Sequence, residues 1–302
     1  MAANEKRKLL ITGASGHLGR RVVELLLETQ AGSLVAATRQ PEKLKDLAAR
    51  GVEVRFADFD DPDSLNRAFT GVERMLFIST NEIARPGQKL IQHLNAIAAA
   101  EKAGVESVVY TSGPFRKPDN PYLLARADID TEQALAQSRL GWTVLRHNWY
   151  TDLLIPRLAK AAATGKFMTT EGDSGAAYVT REDCARADAA VLVSAGFHNE
   201  VLDITGPAIV PNAELAAIVS RVAGRPVKHL VTTPDTYKSG LVFAGVAETL
   251  QEIMTSSDVA IAQGYLAVTS TAVRDLTGRA PQSVEEFLSV HREVLLAKIL
   301  KS

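Results

Sequence analysis

Three glycines stand directly between the apolar run KLLIT and a helical pattern, in Gly13-Ala14-Ser15-Gly16-His17-Leu18-Gly19. Glycine at this spacing permits a tight turn, a close backbone approach to a bulky anion, and close packing of helix on strand. The helix start then offers N–H groups without intrahelical partners and a partial positive charge, both suited to phosphate oxygens. The chemistry implied is the binding of a pyrophosphate, and hence of a dinucleotide. About 20 residues past such glycines an Asp or Glu commonly takes a free ribose 2′-OH. This chain has VAATRQPEK there, with Arg39 at the position, Lys43 nearby and no acid between Ser33 and Pro41. An arginine pairs with a 2′-phosphate and an acid repels one, so the expected cofactor is NADPH (NADP).

Other stretches carry chemistry with less specificity. In NPYLLAR, residues 120 to 126, Asn120 and Pro121 suit the start of a helix, which would set Tyr122 and Arg126 on one face. A phenol beside a fixed cation is one way to build a proton donor; an ordinary surface pair is the alternative. Asp58 and Phe59 in FADFDD stand where an adenine would be met, although FDDPDSL also suits a helix cap. Ser79, Thr80 and Asn81 follow the fourth apolar run, where the chain should pass the middle of a dinucleotide. HNWY (147–150) sets two large aromatics beside two hydrogen-bonding side chains. Trp149 and Tyr150 would stack a flat substrate or begin a buried helix. GDSGA (172–176) echoes a protease serine loop but has no matched His and Asp, and the 6 histidines show no metal-ligand spacing.

The elements that must position these residues alternate. KLLITGA (8–14), SLVAATR (33–39), VEVRFAD (52–58), RMLFIST (74–80), SVVYTSG (107–113) and WTVLRHN (142–148) have the composition of buried strands. Between them lie helical patterns with proline or Asp at the start and often glycine at the end. The pattern predicts an α/β fold, a Rossmann-type doubly wound parallel sheet with a smaller C-terminal α/β lobe. The expected division is 1–150 for the dinucleotide domain and 151–302 for a substrate-binding lobe, with 200–206 (EVLDITG) returning a strand to the main sheet. GKFMTTEGDSGAAYV is expected to form a short hairpin or loop pair, and TREDCARADAAVLVSAG a helix.

A net charge of −1 over 302 residues gives no electrostatic ground for a nucleic acid or an anionic membrane as partner. One cysteine, Cys184, excludes an intramolecular disulfide and points to a reducing, cytoplasmic setting. No apolar run reaches the ~18 residues of a spanning helix, and the first apolar run ends at glycine, as a strand does. The partner expected is a small aromatic molecule; oligomeric state is left open, with a homodimer compatible.

Taken together, ITGASGHLG, ATRQPEK, ADFDDPDSL, VYTSG, TVLRHNWY and LTGRAPQSVEEFL resemble the NmrA-like branch of the atypical short-chain dehydrogenases. Within it the chain resembles the bacterial NAD(P)H:quinone oxidoreductases and triphenylmethane-dye reductases. The resemblance implies NADPH held by Gly13 to Leu18, Arg39 on the 2′-phosphate, and Ser79, Thr80 and Asn81 along the cofactor. It also implies Arg146, His147, Asn148, Trp149 and Tyr150 around the nicotinamide and the substrate. Typical superfamily members use Tyr-x-x-x-Lys in the helix after the fifth strand, with a Ser or Thr upstream. Thr111, Ser112, Tyr122 and Arg126 fall in roughly those places, with arginine for lysine. Arginine keeps its proton and cannot relay one. The leading expectation is direct hydride transfer to quinones or similar electron-poor aromatic compounds. Two alternatives stay open: a carbonyl or double-bond reductase with Tyr122 as general acid, and a non-catalytic NADP(H)-binding redox sensor.

Overall fold

The structure, a computed structural model, describes residues 7–297 except 116, 118, 171, 173, 195 and 197. Its first elements alternate as the sequence pattern requires: β1 (Lys8–Ile11), α1 (His17–Glu28), β2 (Ser33–Thr38), α2 (Lys45–Ala49), β3 (Glu53–Phe56), α3 (Pro62–Phe69) and β4 (Arg74–Ile78). They continue with α4 (Gln88–Ala103), β5 (Ser107–Ser112), α5 (Ala125–Gln137), β6 (Gly141–His147), α6 (Ile155–Thr164), β7 (Lys166–Thr170), β8 (Gly175–Ala176), α7 (Arg181–Val193) and β9 (Glu200–Ile204). Then follow β10 (Val210–Pro211), α8 (Asn212–Ala223), β11 (Lys228–Thr232), α9 (Pro234–Phe243) and α10 (Glu248–Ala262).

Seven strands form one sheet in the order β3-β2-β1-β4-β5-β6-β9. The paired strands from β3 to β6 run parallel. Asn199 N–H bonds Trp142 O, and Asn148 N–H bonds Ile204 O at 2.9 Å, so β9 runs alongside β6 in the same direction. The EVLDITG segment therefore returns as the seventh strand. Every residue of β5 and residues 9–11 of β1 are buried, which is why these strands are apolar on both faces rather than alternating. On α1 the buried Leu18, Val22, Leu25 and Leu26 recur at helical spacing, giving one apolar stripe toward the sheet. The chain winds outward through β2 and β3, then returns to β4 on the other side of β1. In such a sheet ligands bind beyond the carboxyl ends of the strands at this switch.

The chain divides into two compact units, and it passes between them more than once. Residues 1–112, 127–146 and 184–202 make one; 113–126, 147–183 and 203–302 make the other. In the first, Leu10, Val35, Phe69, Phe77, Val108 and Tyr110 belong to one apolar core. Its buried Arg74 donates to Ser107 Oγ at 3.0 Å and to the carbonyls of Val191 and Ser194, tying the end of α7 to the start of β4.

The second unit has its own core, with Leu158, Phe167, Tyr178, Leu215 and Ile261. The hairpin expected over GKFMTTEGDSGAAYV is not formed. β7 pairs parallel with β11, and β8 pairs antiparallel with β10. The ladder of β7 ends where Thr170 N–H turns to the Asp258 carboxylate at 2.5 Å. Gly172, at φ +132°, then passes so close to α10 that a Cβ would lie 2.3 Å from Ala262 O. Within GDSGA, Asp173 lies outside the described residues, and Gly175 and Ala176 are the strand β8. Asp258 pairs with Arg157 at 2.6 Å, and the guanidinium lies 4.7 Å from the Phe167 ring centroid and 5.4 Å from that of Tyr237. The buried Asp258 carboxylate is thus paired, with a guanidinium that is itself partly covered by rings.

Candidate active site

The glycine turn meets the needs of a pyrophosphate. Gly13 has φ +60°, a conformation that costs a side-chain-bearing residue. A Cβ on Gly19 would lie 2.6 Å from Gly13 O, so the third glycine is what lets α1 close on the turn. Gly13, Gly16 and His17 are exposed, Ser15 is half-buried, and Ala14 and Leu18 anchor the turn in the core. Ser15 Oγ and Thr38 Oγ1 are 2.7 Å apart, joining the turn to the end of β2. No side chain caps α1 and its first turn holds no acid, so its leading N–H groups are available to an anion. Arg39 and Lys43 are exposed just past β2, and among the described residues no carboxylate pairs with either. The cradle fits a dinucleotide, and the two cations fit a 2′-phosphate on it.

At the end of β3, Phe59 stacks on Phe77 with centroids 5.6 Å apart. Asp58 Oδ1 accepts from Asp60 N–H at 3.0 Å, while Asp61, not Asp58, caps α3 by accepting from the N–H groups of Asp63 and Ser64. Asp60 is gripped from α4 and the segment before it. Arg85 donates to it at 2.6 Å, Gln88 at 2.7 Å and Gln92 at 3.1 Å. The guanidinium of Arg85, above all, holds the Asp60 carboxyl below its ordinary pKa.

Past β4 the chain enters a buried polar network. Ser79 N–H donates to Thr111 Oγ1 at 3.1 Å, so the Thr111 hydroxyl serves to hold the turn. Thr80 N–H donates to His93 Nε2 at 3.0 Å, and Asn81 is exposed. Ser79 Oγ and Tyr110 OH both donate to Asp128 Oδ1, at 3.1 and 2.7 Å. Lys89 Nζ lies 2.8 Å from the same oxygen and 3.0 Å from Oδ2. Burial, and then the Asp128 charge, push the Tyr110 phenol far above its usual range. Burial pushes His93 down to about 3, so its ring is neutral. At the ends of β5 and β6, Ser112 Oγ donates to Glu132 Oε1 at 2.6 Å. Arg146 forks onto Glu132 with Nε at 3.0 Å and Nη2 at 2.5 Å. Lys89, His93, Tyr110, Asp128 and Glu132 were not among the residues expected from sequence. The sequence offers only two acids four apart in ARADIDTEQ and two bases four apart in QKLIQH, a spacing shared with any solvated helix, and nothing at Tyr110.

In the second unit NPYLLAR differs from expectation. The helix begins at Ala125, so Tyr122 precedes it and does not share a helical face with Arg126. Asn120 Oδ1 accepts from Tyr122 N–H at 2.9 Å, and Ala125 N–H closes a turn on Tyr122 O at 3.0 Å. The asparagine satisfies a local turn that competes with a helix cap. The Tyr122 ring packs between Phe115 and Trp149, with centroids 5.4 and 5.6 Å away. Arg126 is exposed. Asn148 is buried, and its side chain is a clasp rather than a ligand. Its Nδ2 donates to Leu266 O at 3.0 Å and Val268 O at 3.4 Å, and its Oδ1 accepts from Trp149 N–H at 2.7 Å. His147 Nδ1 and Tyr150 OH are 2.9 Å apart, and the Tyr150 ring faces the Arg181 guanidinium at 5.2 Å. The second unit thus offers a wall of Phe115, Tyr122 and Trp149, with Trp149 half-exposed.

A profile of the family described as NAD(P)H-binding matches residues 13–195. The chain belongs to the NAD(P)H-binding family. A crystal structure of an NADPH-dependent quinone oxidoreductase from Escherichia coli, complexed with NADPH, is similar to this NAD(P)H-binding chain with a TM-score of 0.88 and 34% identity. It covers 94% of this chain and 99% of that one. The Citrobacter sp. triphenylmethane reductase complexed with NADP(H) has a TM-score of 0.84 at 31% identity, covering 97% and 99%. An NmrA-like family domain-containing oxidoreductase of Aspergillus flavus is 32% identical over 234 residues, covering 76% of each chain. The NmrA-like resemblance and the Rossmann-type fold hold, and this protein is an oxidoreductase of that family. Among the described residues, no helix is long and apolar enough to cross a membrane, and no cluster of three metal-ligating side chains occurs.

Proposed function

We propose that this chain catalyses NADPH-dependent reduction of quinones or similar electron-poor aromatic compounds by direct hydride transfer, without a protein general acid. The observation that carries the reading is α5, where no tyrosine and lysine stand a turn apart. Tyr122 precedes the helix with its ring packed between Phe115 and Trp149. The names of the E. coli and Citrobacter proteins support the same acceptor class.

Bound NADPH supplies a hydride from its nicotinamide, and a quinone that takes it needs one further proton to become a hydroquinone. The oxygen developed is phenolate-like and weakly basic, so water suffices as proton source, whereas a simple ketone needs a positioned acid. The protein then contributes binding and orientation. Gly13 to Gly19 and the leading N–H groups of α1 hold the pyrophosphate, and Arg39 with Lys43 takes the 2′-phosphate. Phe59 packs against the adenine, and Ser79, Thr80, Ser112 and Arg146 line the nicotinamide half. Trp149, with Tyr122 and Phe115 behind it, offers ring faces to a flat acceptor.

The test is NADPH oxidation followed by absorbance with benzoquinones, a naphthoquinone, a cationic dye, simple ketones and aldehydes. Turnover on quinones or dye, with none on simple carbonyls, is expected. Turnover confined to carbonyls would sink the reading, and tight NADPH binding without turnover on any of them would favour a redox sensor.

A further inference from the structure

Asp128 and Glu132 stand four residues apart on α5, one turn apart on a single helix face. Each accepts a hydrogen bond from a serine at a strand end: Ser79 Oγ donates to Asp128 Oδ1 at 3.1 Å and Ser112 Oγ to Glu132 Oε1 at 2.6 Å. The two serines belong together. β4 and β5 are neighbours whose last paired residues are Ile78 and Thr111, so Ser79 and Ser112 are the next step on both strands. Each carboxylate is also matched by a cation, Lys89 for Asp128 and Arg146 for Glu132, with side chains no more than 19% exposed. A carboxylate that faces both a cation and a hydroxyl accepts a hydrogen bond from each.

A serine hydroxyl has one proton to give. With that proton committed to α5, Ser79 and Ser112 present only lone pairs to whatever lies beyond the strand ends. We propose that Asp128 and Glu132 are positioning residues that make Ser79 and Ser112 obligate hydrogen-bond acceptors for the nicotinamide half of the cofactor, receiving its ribose hydroxyls and carboxamide NH2. The inference rests on the assignment of those serines to the cofactor given above. It deepens that reading, because a serine whose proton is committed cannot donate to a substrate carbonyl. The α5 face thus fixes the polarity of the site.

Glu132→Gln tests this with little change of shape. A carboxamide that keeps its oxygen on the Arg146 fork turns its NH2 toward Ser112, which then accepts from the helix and donates outward. The expected result is a Kd for NADPH raised about 3- to 10-fold, the scale of one net hydrogen bond. Ser112→Ala should raise it similarly, and the double variant should bind no worse than either single one, since both remove the same acceptor. The KM for NADPH should rise while kcat with a quinone stays within about twofold. Ser79→Ala and Ser112→Ala alter the fold least and carry the decision if Glu132→Gln is poorly folded. A folded Ser79→Ala and Ser112→Ala pair with the wild-type Kd would overturn the proposal, as would additive losses in the cycle. A wild-type protein that fails to bind NADPH would overturn the cofactor assignment first, and this inference with it.

Discussion

The backbone N–H of Thr80 donates to Nε2 of His93 at 3.0 Å, which leaves the imidazole proton on Nδ1, 2.8 Å from Thr131 Oγ1. Thr131 Oγ1 donates in turn to Ala127 O at 2.6 Å, so the chain of donors runs in one direction and has no room for a second ring proton. Burial holds His93 at about 3 against an ordinary 6.5. In the unfolded chain the ring takes up a proton below about pH 6.5, which the native ring does not. Stability from this site is therefore complete above that pH and falls on acidification toward pH 3, by up to about 1.4 kcal/mol per pH unit. The depressed carboxylates Glu53 and Asp60 lose their contribution only below their ordinary values of 4.5 and 3.8. His229 is depressed as well and adds in the same direction. His93→Gln should flatten the dependence of Tm on pH between about 4.5 and 6.5; a slope equal to that of wild type would refute the assignment.

Gly19 tests the turn by sterics alone. Its added Cβ would meet Gly13 O at 2.6 Å and Gly13 C at 2.9 Å, both backbone atoms that cannot swing aside. Gly19→Ala should cost about 1–3 kcal/mol of stability, as overpacking does, and weaken NADPH binding because the displaced segment is the cradle itself. Gly240, inside α9, has nothing within 4 Å of its Cβ position. Gly240→Ala should stabilise by about 0.5–1 kcal/mol and leave binding unchanged. Thermal denaturation and fluorescence titration of both variants would measure the contrast.

The strands and the glycine turn were legible because their causes are local: apolar runs buried on both faces, and a spacing that only glycine tolerates. The seventh strand at Glu200–Ile204 is only partly buried, and its signal was the short run EVLDI before a Thr-Gly turn. The start of α5 was not, since Asn120 could serve a helix cap or a local turn. The packing of Tyr122 between Phe115 and Trp149 lies outside any local pattern. Asn148 stands among polar and aromatic residues, a setting that suggests a ligand; its partners, Leu266 O and Val268 O, lie more than a hundred residues away. Asp128 and Glu132 resemble solvated helix charges until Lys89 of α4 and Arg146 of β6 are brought to them by the fold. Buried ion pairs are the part of a site that composition and periodicity conceal most.

Arg39 should set the cofactor preference. It is exposed at the end of β2 with no carboxylate partner among the described residues, so its charge is available to a 2′-phosphate. A hydrogen bond between charged groups contributes about 1.5–3 kcal/mol, so Arg39→Ala should raise the Kd for NADPH by roughly 10- to 100-fold. NADH lacks the phosphate, and its Kd should move by less than about twofold. An unchanged ratio of the two affinities would reassign the residue to the surface.

Tyr122→Phe separates hydride transfer without an acid from the rival in which the phenol protonates substrate. The substitution keeps the ring and its contacts with Phe115 and Trp149, so the wall stays in place. A lost general acid typically costs about 100- to 10,000-fold in rate. With a quinone as acceptor the expected kcat/KM stays within about twofold of wild type, because the phenolate-like product oxygen can be protonated by water. Steady-state rates with one quinone and one dye would measure it. A fall of about 100-fold or more with either acceptor would return Tyr122 to the chemistry, acting from the turn before α5 rather than from the helix.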